Sequence, residues 1–376
     1  MHMKLLTAAL GATCVAATAP ALADFALGDE TKGVTVKFND EADLKVRVRL
    51  QPRFDTGDLR TDSAGKNVSE SDLYLRRTRL EIGGHLTKAL KYKYVLEADK
   101  HYKDGKKSEV SPLYALLDYK FADAASLLFG QTKLPYSRVS LSSSSKQLLV
   151  ERPASTEAAK KHFGDYNQPI LMLHGKPAGG MFSYAVALGD GAQESATTES
   201  DPYVGGRVTF SPAGWIEKGQ SDAHLGKGQH LAVGVSFGQQ DGQKTIGAAT
   251  ETDRSLTGAD VSFHMGGFTA QAEYINFETD STGAPKKEEQ GWYVQAGYFI
   301  PGTNIEPAVR FEKFDKDASV SDKEDEITSL GFNWYMKGHS MKVGVNWVNT
   351  QFGKANIAAG ADDERDVLQV QAQLYF

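Results

Sequence analysis

Cysteine is almost missing from this chain. The single one, Cys14, lies in a leader-like N-terminus, so the rest of the chain can form no disulfide and must be stable without covalent staples. Long apolar runs are missing too. Beyond the leader no segment approaches the roughly 18 consecutive apolar residues that a spanning helix needs, which excludes a helical membrane protein. There is no Gly-x-Ser-x-Gly elbow, no phosphate-cradling glycine-rich loop and no histidine pair at metal-ligand spacing, and the serine run 142–145 has nothing to orient His162 as a base, so neither an enzyme nor a cofactor is expected. A basic excess is also absent. Lys and Arg number 42 against 48 Asp and Glu, for a net charge of −6, which argues against nucleic acid as a partner.

The chain opens with a charged Lys4, an apolar run over 5–17 and a small-residue site at Ala21-Leu22-Ala23. That pattern reads as a secretory signal peptide over 1–23. Residues 24–43 read as an N-terminal periplasmic extension with a short alternating piece at 34–38. From 44 to 376 the pattern is one of period two. In the closing stretch Leu368, Val370, Ala372, Leu374 and Phe376 share one parity, and Gln369, Gln371, Gln373 and Tyr375 share the other. Strict alternation argues a strand with one apolar and one polar face, and eleven residues suffice for a tilted strand to cross a hydrocarbon core. A soluble sandwich also alternates, so the remaining segments must decide.

They repeat the pattern sixteen times, over about 44–54, 72–86, 91–101, 112–121, 126–133, 168–175, 181–189, 203–211, 230–239, 256–265, 268–277, 291–300, 305–315, 327–336, 340–350 and 366–376. Even-numbered strands are followed by short turns and odd-numbered ones by long polar loops, with one break in the rule at 212–229. Tyr and Trp sit near strand ends on the apolar parity, among them Tyr94, Tyr119, Trp292, Trp334 and Trp347. Together these features predict an all-β fold, a 16-stranded antiparallel transmembrane β-barrel with short periplasmic turns and long extracellular loops in a bacterial outer membrane.

A barrel of that size is too wide for side chains to fill, so a water-filled lumen is expected and its polar parity carries the function. Lys45, Arg47, Arg49, Arg53, Arg77, Arg79, Arg207 and Arg310 fall on that parity, interspersed with carboxylates such as Glu81, Glu97, Asp260 and Glu312. Basic residues there favour anions; pairing with the acids across strands is the alternative. The longest connection, 134–167, holds Leu148, Leu149 and Val150, which suit open water poorly. It is expected to fold inward as a constriction that presents Arg138, Ser142, Ser143, Ser144, Ser145, Lys146, Arg152, Lys160 and Lys161 to the pore, where hydroxyls and cations replace part of an anion's hydration shell. A loop outside the barrel is the other reading.

Several segments carry a resemblance. LYLRRTRLEIGGHL at 73–86, LLFGQTKLPYS at 127–137 followed by VERP at 150–153, GGRVTFSP at 205–212, PAVRFEKFD at 307–315 and LGFNWYM at 330–336 are similar, in order and over nearly the whole mature chain, to the phosphate-selective porin O and P family. The resemblance implies trimeric sixteen-stranded barrels whose inward loop and basic lumen conduct small anions, phosphate among them. Type members line the pore with a ladder of basic residues, whereas here acids share the parity, so a general diffusion pore is the broader expectation. The reading is an outer-membrane porin that passes small hydrophilic or anionic solutes by passive diffusion. A weakly selective or cation-preferring pore, or a non-conducting adhesin or scaffold, are the alternatives. Expected partners are outer-membrane lipid and lipopolysaccharide, a homotrimer of the chain itself, and the barrel assembly machinery, which reads Phe376 as a C-terminal signal.

Overall fold

The computed structural model describes residues 33–192, 198–217 and 219–376. The expected signal peptide and the first part of the N-terminal extension lie outside them. One antiparallel sheet of eighteen strands carries the fold. Two of these are short, Val34–Lys37 and Thr198–Glu199. The other sixteen form the wall: β1 Asp43–Thr61, β2 Asn67–His85, β3 Leu90–His101, β4 Ser111–Ala122, β5 Ala125–Lys133, β6 Asn167–Gly175, β7 Phe182–Gly189, β8 Tyr203–Phe210, β9 Gln229–Thr245, β10 Thr252–Met265, β11 Phe268–Ser281, β12 Lys287–Tyr298, β13 Ile305–Asp315, β14 Glu324–His339, β15 Met341–Gln351 and β16 Glu364–Tyr375.

Each wall strand pairs with its sequence neighbour, and β16 closes the circle on β1, with Tyr375 opposite Arg49 and Val370 opposite Phe54. Phe376 continues the ladder, its N–H donating to the Val48 carbonyl at 3.0 Å and its carbonyl accepting from Val48 at 2.6 Å. Strand β1 begins below the point that β16 reaches. There Val34–Lys37 pairs with the part of β1 that β16 leaves open, with Val34 opposite Val46 and Lys37 opposite Asp43.

Period-two patterning sorts the faces in the sense opposite to a soluble sheet. Along β9, Val233, Val235 and Phe237 are exposed while Ala232, Gly234, Ser236, Gly238 and Gln240 are buried. The same inversion runs through β11, where Tyr274 faces out and Gln271 and Glu273 face in. An apolar band exposed around the whole outer face requires hydrocarbon as its solvent. Tyr94, Tyr119, Phe121, Tyr298, Trp334 and Trp347 belong to it.

The loop end departs from the expectation of long loops. Strands β1 and β2 each run 19 residues, well beyond what a crossing needs, and their connection shrinks to 62–66; likewise 246–251 and 282–286 are tight links. Where a hairpin rises into water both of its faces are hydrated, so pairing continues without the alternation that marks the membrane part. The link after β8 does span 211–228, so the strand boundaries on either side of it stand and the connection itself is long.

Candidate functional site

Segment 134–166 is held against the polar face of strands on several sides of the closed sheet, a position only the interior of the barrel offers. Its extended part crosses five strands, and each supplies one donor to a loop carbonyl. Gln51 of β1 donates to Ser144 O at 3.3 Å, Gln373 of β16 to Ser145 O at 3.2 Å, Lys342 of β15 to Gln147 O at 3.0 Å, Asn333 of β14 to Leu148 O at 2.7 Å and Arg310 of β13 to Glu151 O at 2.9 Å. A buried irregular backbone must find partners for its polar groups, and here the wall's inner side chains provide them. Apolar contacts do the rest. Leu148 and Leu149 are buried, and the wall makes room with glycine: a Cβ at Gly297 would lie 2.6 Å from Leu148 and one at Gly331 2.3 Å from Leu149.

Two short helical turns shape the segment, α1 Arg138–Leu141 and α2 Ala154–Ala159. Tyr136, Phe163 and Tyr166 pack with Tyr203, Leu256, Ile275 and Phe277 on the inner faces of β8, β10 and β11. Lys133 and Arg152 point into the turn at α1; Lys133 Nζ donates to Leu141 O at 3.2 Å and Arg152 to Val139 O at 3.0 Å.

With β9–β16 covered in this way, the open part of the lumen lies along β1–β8. It is a cavity of about 1190 Å³, lined by fifteen Lys and Arg against six Asp and Glu. Lys45, Arg47, Arg49, Arg77, Arg79 and Arg207 line it from the wall, and Ser143, Ser144, Ser145, Lys146, Arg152, Lys160 and Lys161 from the loop. The wall arginines are held by acids: Arg47 and Arg49 reach Glu81 at 2.9 and 2.8 Å, Arg79 reaches Glu97 at 2.8 Å and Arg207 reaches Asp260 at 2.5 Å. Cross-strand pairing and a basic lining therefore coexist, because cations outnumber the acids that hold them. Ser144 Oγ accepts from both Arg49 at 2.8 Å and Arg79 at 3.3 Å, and Lys93 stands over the Tyr114 ring at 4.2 Å.

Four residues expected in the pore lie elsewhere. Arg53 and Arg310 sit behind the loop, Arg53 bound to Asp55 at 2.6 Å and Arg310 to Glu312 at 3.1 Å. Arg138 turns toward the short-turn end and is gripped by Glu217 at 2.7 and 3.0 Å, and Ser142 donates to Asp222 at 2.7 Å. Arg53 and Arg310 are captured by carboxylates two residues further along their own strands, and Arg138 and Ser142 by carboxylates of the link 211–228; parity turns a side chain inward but does not say which partner holds it there.

The sequence reading missed three features. Arg76 falls on the apolar parity, yet it is buried inward beside Arg77. The register slips between Gln51 and Pro52, leaving Arg76 as the extra residue of a bulge, and the bulge turns two successive arginines inward. Glu151, the only acid between Leu134 and Arg152, is the hub of the loop: Arg76 contacts it at 2.5 Å, Arg53 at 3.3 Å and Arg77 at 3.7 Å. Burial would raise its carboxyl, but the fields of Arg76, Arg77 and Arg53 outweigh that and hold it well below the ordinary value. The link 211–228 meets the loop from the other end, where Asp222 and Ala223 donate to Lys146 O at 3.2 and 3.0 Å. Burial raises the Asp222 carboxyl against the hydrogen bond from Ser142.

Comparison with known proteins agrees with this geometry. The family described as phosphate-selective porin O and P matches residues 46–376. An uncharacterized protein of Aquifex aeolicus (strain VF5) is 38% identical over 387 residues, covering 93% of this chain and 91% of its own length. Among solved structures, an anion-selective porin from Comamonas acidovorans superposes with a TM-score of 0.63 at 14% identity, covering 89% of this chain and 100% of the other. The outer membrane channel DcaP of Acinetobacter baumannii superposes at 0.61 with 12% identity, covering 91% and 99%. The chain belongs to the phosphate-selective porin O and P family.

Proposed function

We propose that the chain is an anion-preferring diffusion pore for small hydrophilic solutes, inorganic phosphate included. The observation that carries this reading is the charge of the open lumen, fifteen basic side chains against six acidic ones in a protein whose net charge is −6. In a channel with low-dielectric walls such an excess lowers the entry barrier for anions and raises it for cations. Ser144 with Arg49 and Arg79, and Ser143 and Ser145 beside them, supply donors that replace lost hydration, while the acids hold the guanidinium groups short of a binding site too tight to leave. Support from outside the chain comes from the family's description and from the anion-selective Comamonas porin.

The remaining parts of the proposal rest on the same reading. The segment 134–166 sets the size limit, residues 1–23 direct export, three copies associate through their apolar outer bands within lipid and lipopolysaccharide, and Phe376 is the signal for barrel assembly. No chemical step is needed.

Solute uptake into liposomes tests the function. Vesicles holding the purified protein are expected to swell several-fold faster in an organic anion of sugar size than in a cation of the same size, with free phosphate slowing anion entry. Equal rates, or faster cation entry, would overturn the anion preference and leave the pore.

A further inference from the structure

At the short-turn end of the barrel, nitrogen ligands gather away from the permeation cavity. The link 211–228 brings Glu217 and His224 to His230 on β9, and the ligand atoms of these three lie within 4.8 Å of one another. Zinc holds nitrogen and oxygen ligands at about 2.1 Å, which puts tetrahedral ligands about 3.4 Å apart, so small side-chain rotations close the site. His224 Nε2 is buried with no hydrogen-bond partner among the described residues, an expensive state for a polar atom. His230 commits Nε2 to Ser262 Oγ at 2.7 Å. That bond orients the ring as outer hydrogen bonds orient metal-bound histidines, and leaves Nδ1 for the site.

His264 adds a backing plate. Its ring stacks on His224 at 4.3 Å and 21°, while its own nitrogens are taken, Nδ1 by Phe268 O and Thr269 Oγ1, Nε2 by Lys227 O at 3.0 Å. It positions His224. Arg138 binds both Glu217 oxygens, fixing the carboxylate and offsetting its charge. A set of two imidazoles and one neutralised carboxylate favours the metals that imidazole suits over hard, oxygen-seeking ones.

We infer that Glu217, His224 and His230 bind one divalent transition-metal ion, of the zinc, nickel or copper type, with water in the remaining positions. Bound there, the ion ties the link 211–228 to β9, and through Arg138 it steadies the in-folded segment.

Calorimetric titration of the folded, tag-free full chain tests this. Expected are one Zn2+ or Ni2+ per chain, no binding of Mg2+ or Ca2+, a loss of affinity of at least about tenfold in His224→Ala, and no change in His101→Ala. Spectroscopy of the wild-type chain with Cu2+ avoids any effect of the substitution on folding; it is expected to show coupling to two nitrogens. Absence of Zn2+ and Ni2+ binding, binding untouched by His224→Ala, equal binding of Mg2+, or a copper signal without nitrogen coupling would each overturn the site.

Discussion

Glu151 is one carboxylate facing three arginines, and its environment gives it a testable pH signature. Its carboxyl is held well below the ordinary 4.5 by Arg76, Arg77 and Arg53 against the opposing effect of burial. A depressed value means that its contribution to seating the loop is complete above about pH 4.5 and is lost only as pH falls through the lower folded value. Single-channel conductance should therefore hold steady from pH 7 to 5 and rise only in stronger acid, when the loop loosens. Glu151→Gln is expected to show the loosened, higher conductance already at pH 7, since it removes the carboxylate that the buried Arg53 and Arg76 share, at a cost below the about 3–5 kcal/mol of a fully buried pair; wild-type conductance in that variant would deny the hub its role. The arginines themselves divide by position. Neutralising Arg47 and Arg49 should move the chloride-to-potassium permeability ratio toward cations by roughly twofold or more, on the scale of a few tenths of a kcal/mol per screened charge. Arg53→Gln should leave that ratio alone and instead lower the unfolding temperature.

At the scale of elements, the central device is an extended segment lying across strands whose glycines admit it. Placing a large side chain at Gly331 should force Leu149 out at about 1–3 kcal/mol. Gly331→Leu is thus expected to assemble a barrel of normal strand content but with raised conductance and new protease cuts within 134–166; an unchanged conductance would show that the seat tolerates filling. The strands were legible because membrane and lumen impose opposite demands on alternate residues, and all sixteen appear where period two placed them, in order. Beyond the bilayer that demand lapses, which is why the rising hairpins read as loops. Two signals for the interior were present and unused. Leu256, Ile275 and Phe277 are apolar residues on an otherwise polar parity, the mark of something docked inside. The length of 211–228 marked an element with a task of its own. Arg76 could not have been placed, since a bulge is a decision of two strands together and Pro52 shows only one of them.

As a whole molecule the chain separates its charge. The total is −6, yet the open lumen is strongly basic, so whole-chain charge points the wrong way about what passes through. Parity identified the wall half of that lining. It was silent on what draws Arg53, Arg138 and Arg310 away, because the contacts that cover them come from the two inward links: Glu151 for Arg53 and Arg310, and Glu217 for Arg138. The most direct test of the central claim, that this lumen favours anions, is the reversal potential of the purified protein in a planar bilayer across a tenfold potassium chloride gradient. A potential on the chloride side of zero, reduced in the Arg47 and Arg49 double variant, is the predicted result. A potential on the potassium side in the wild-type protein would contradict it.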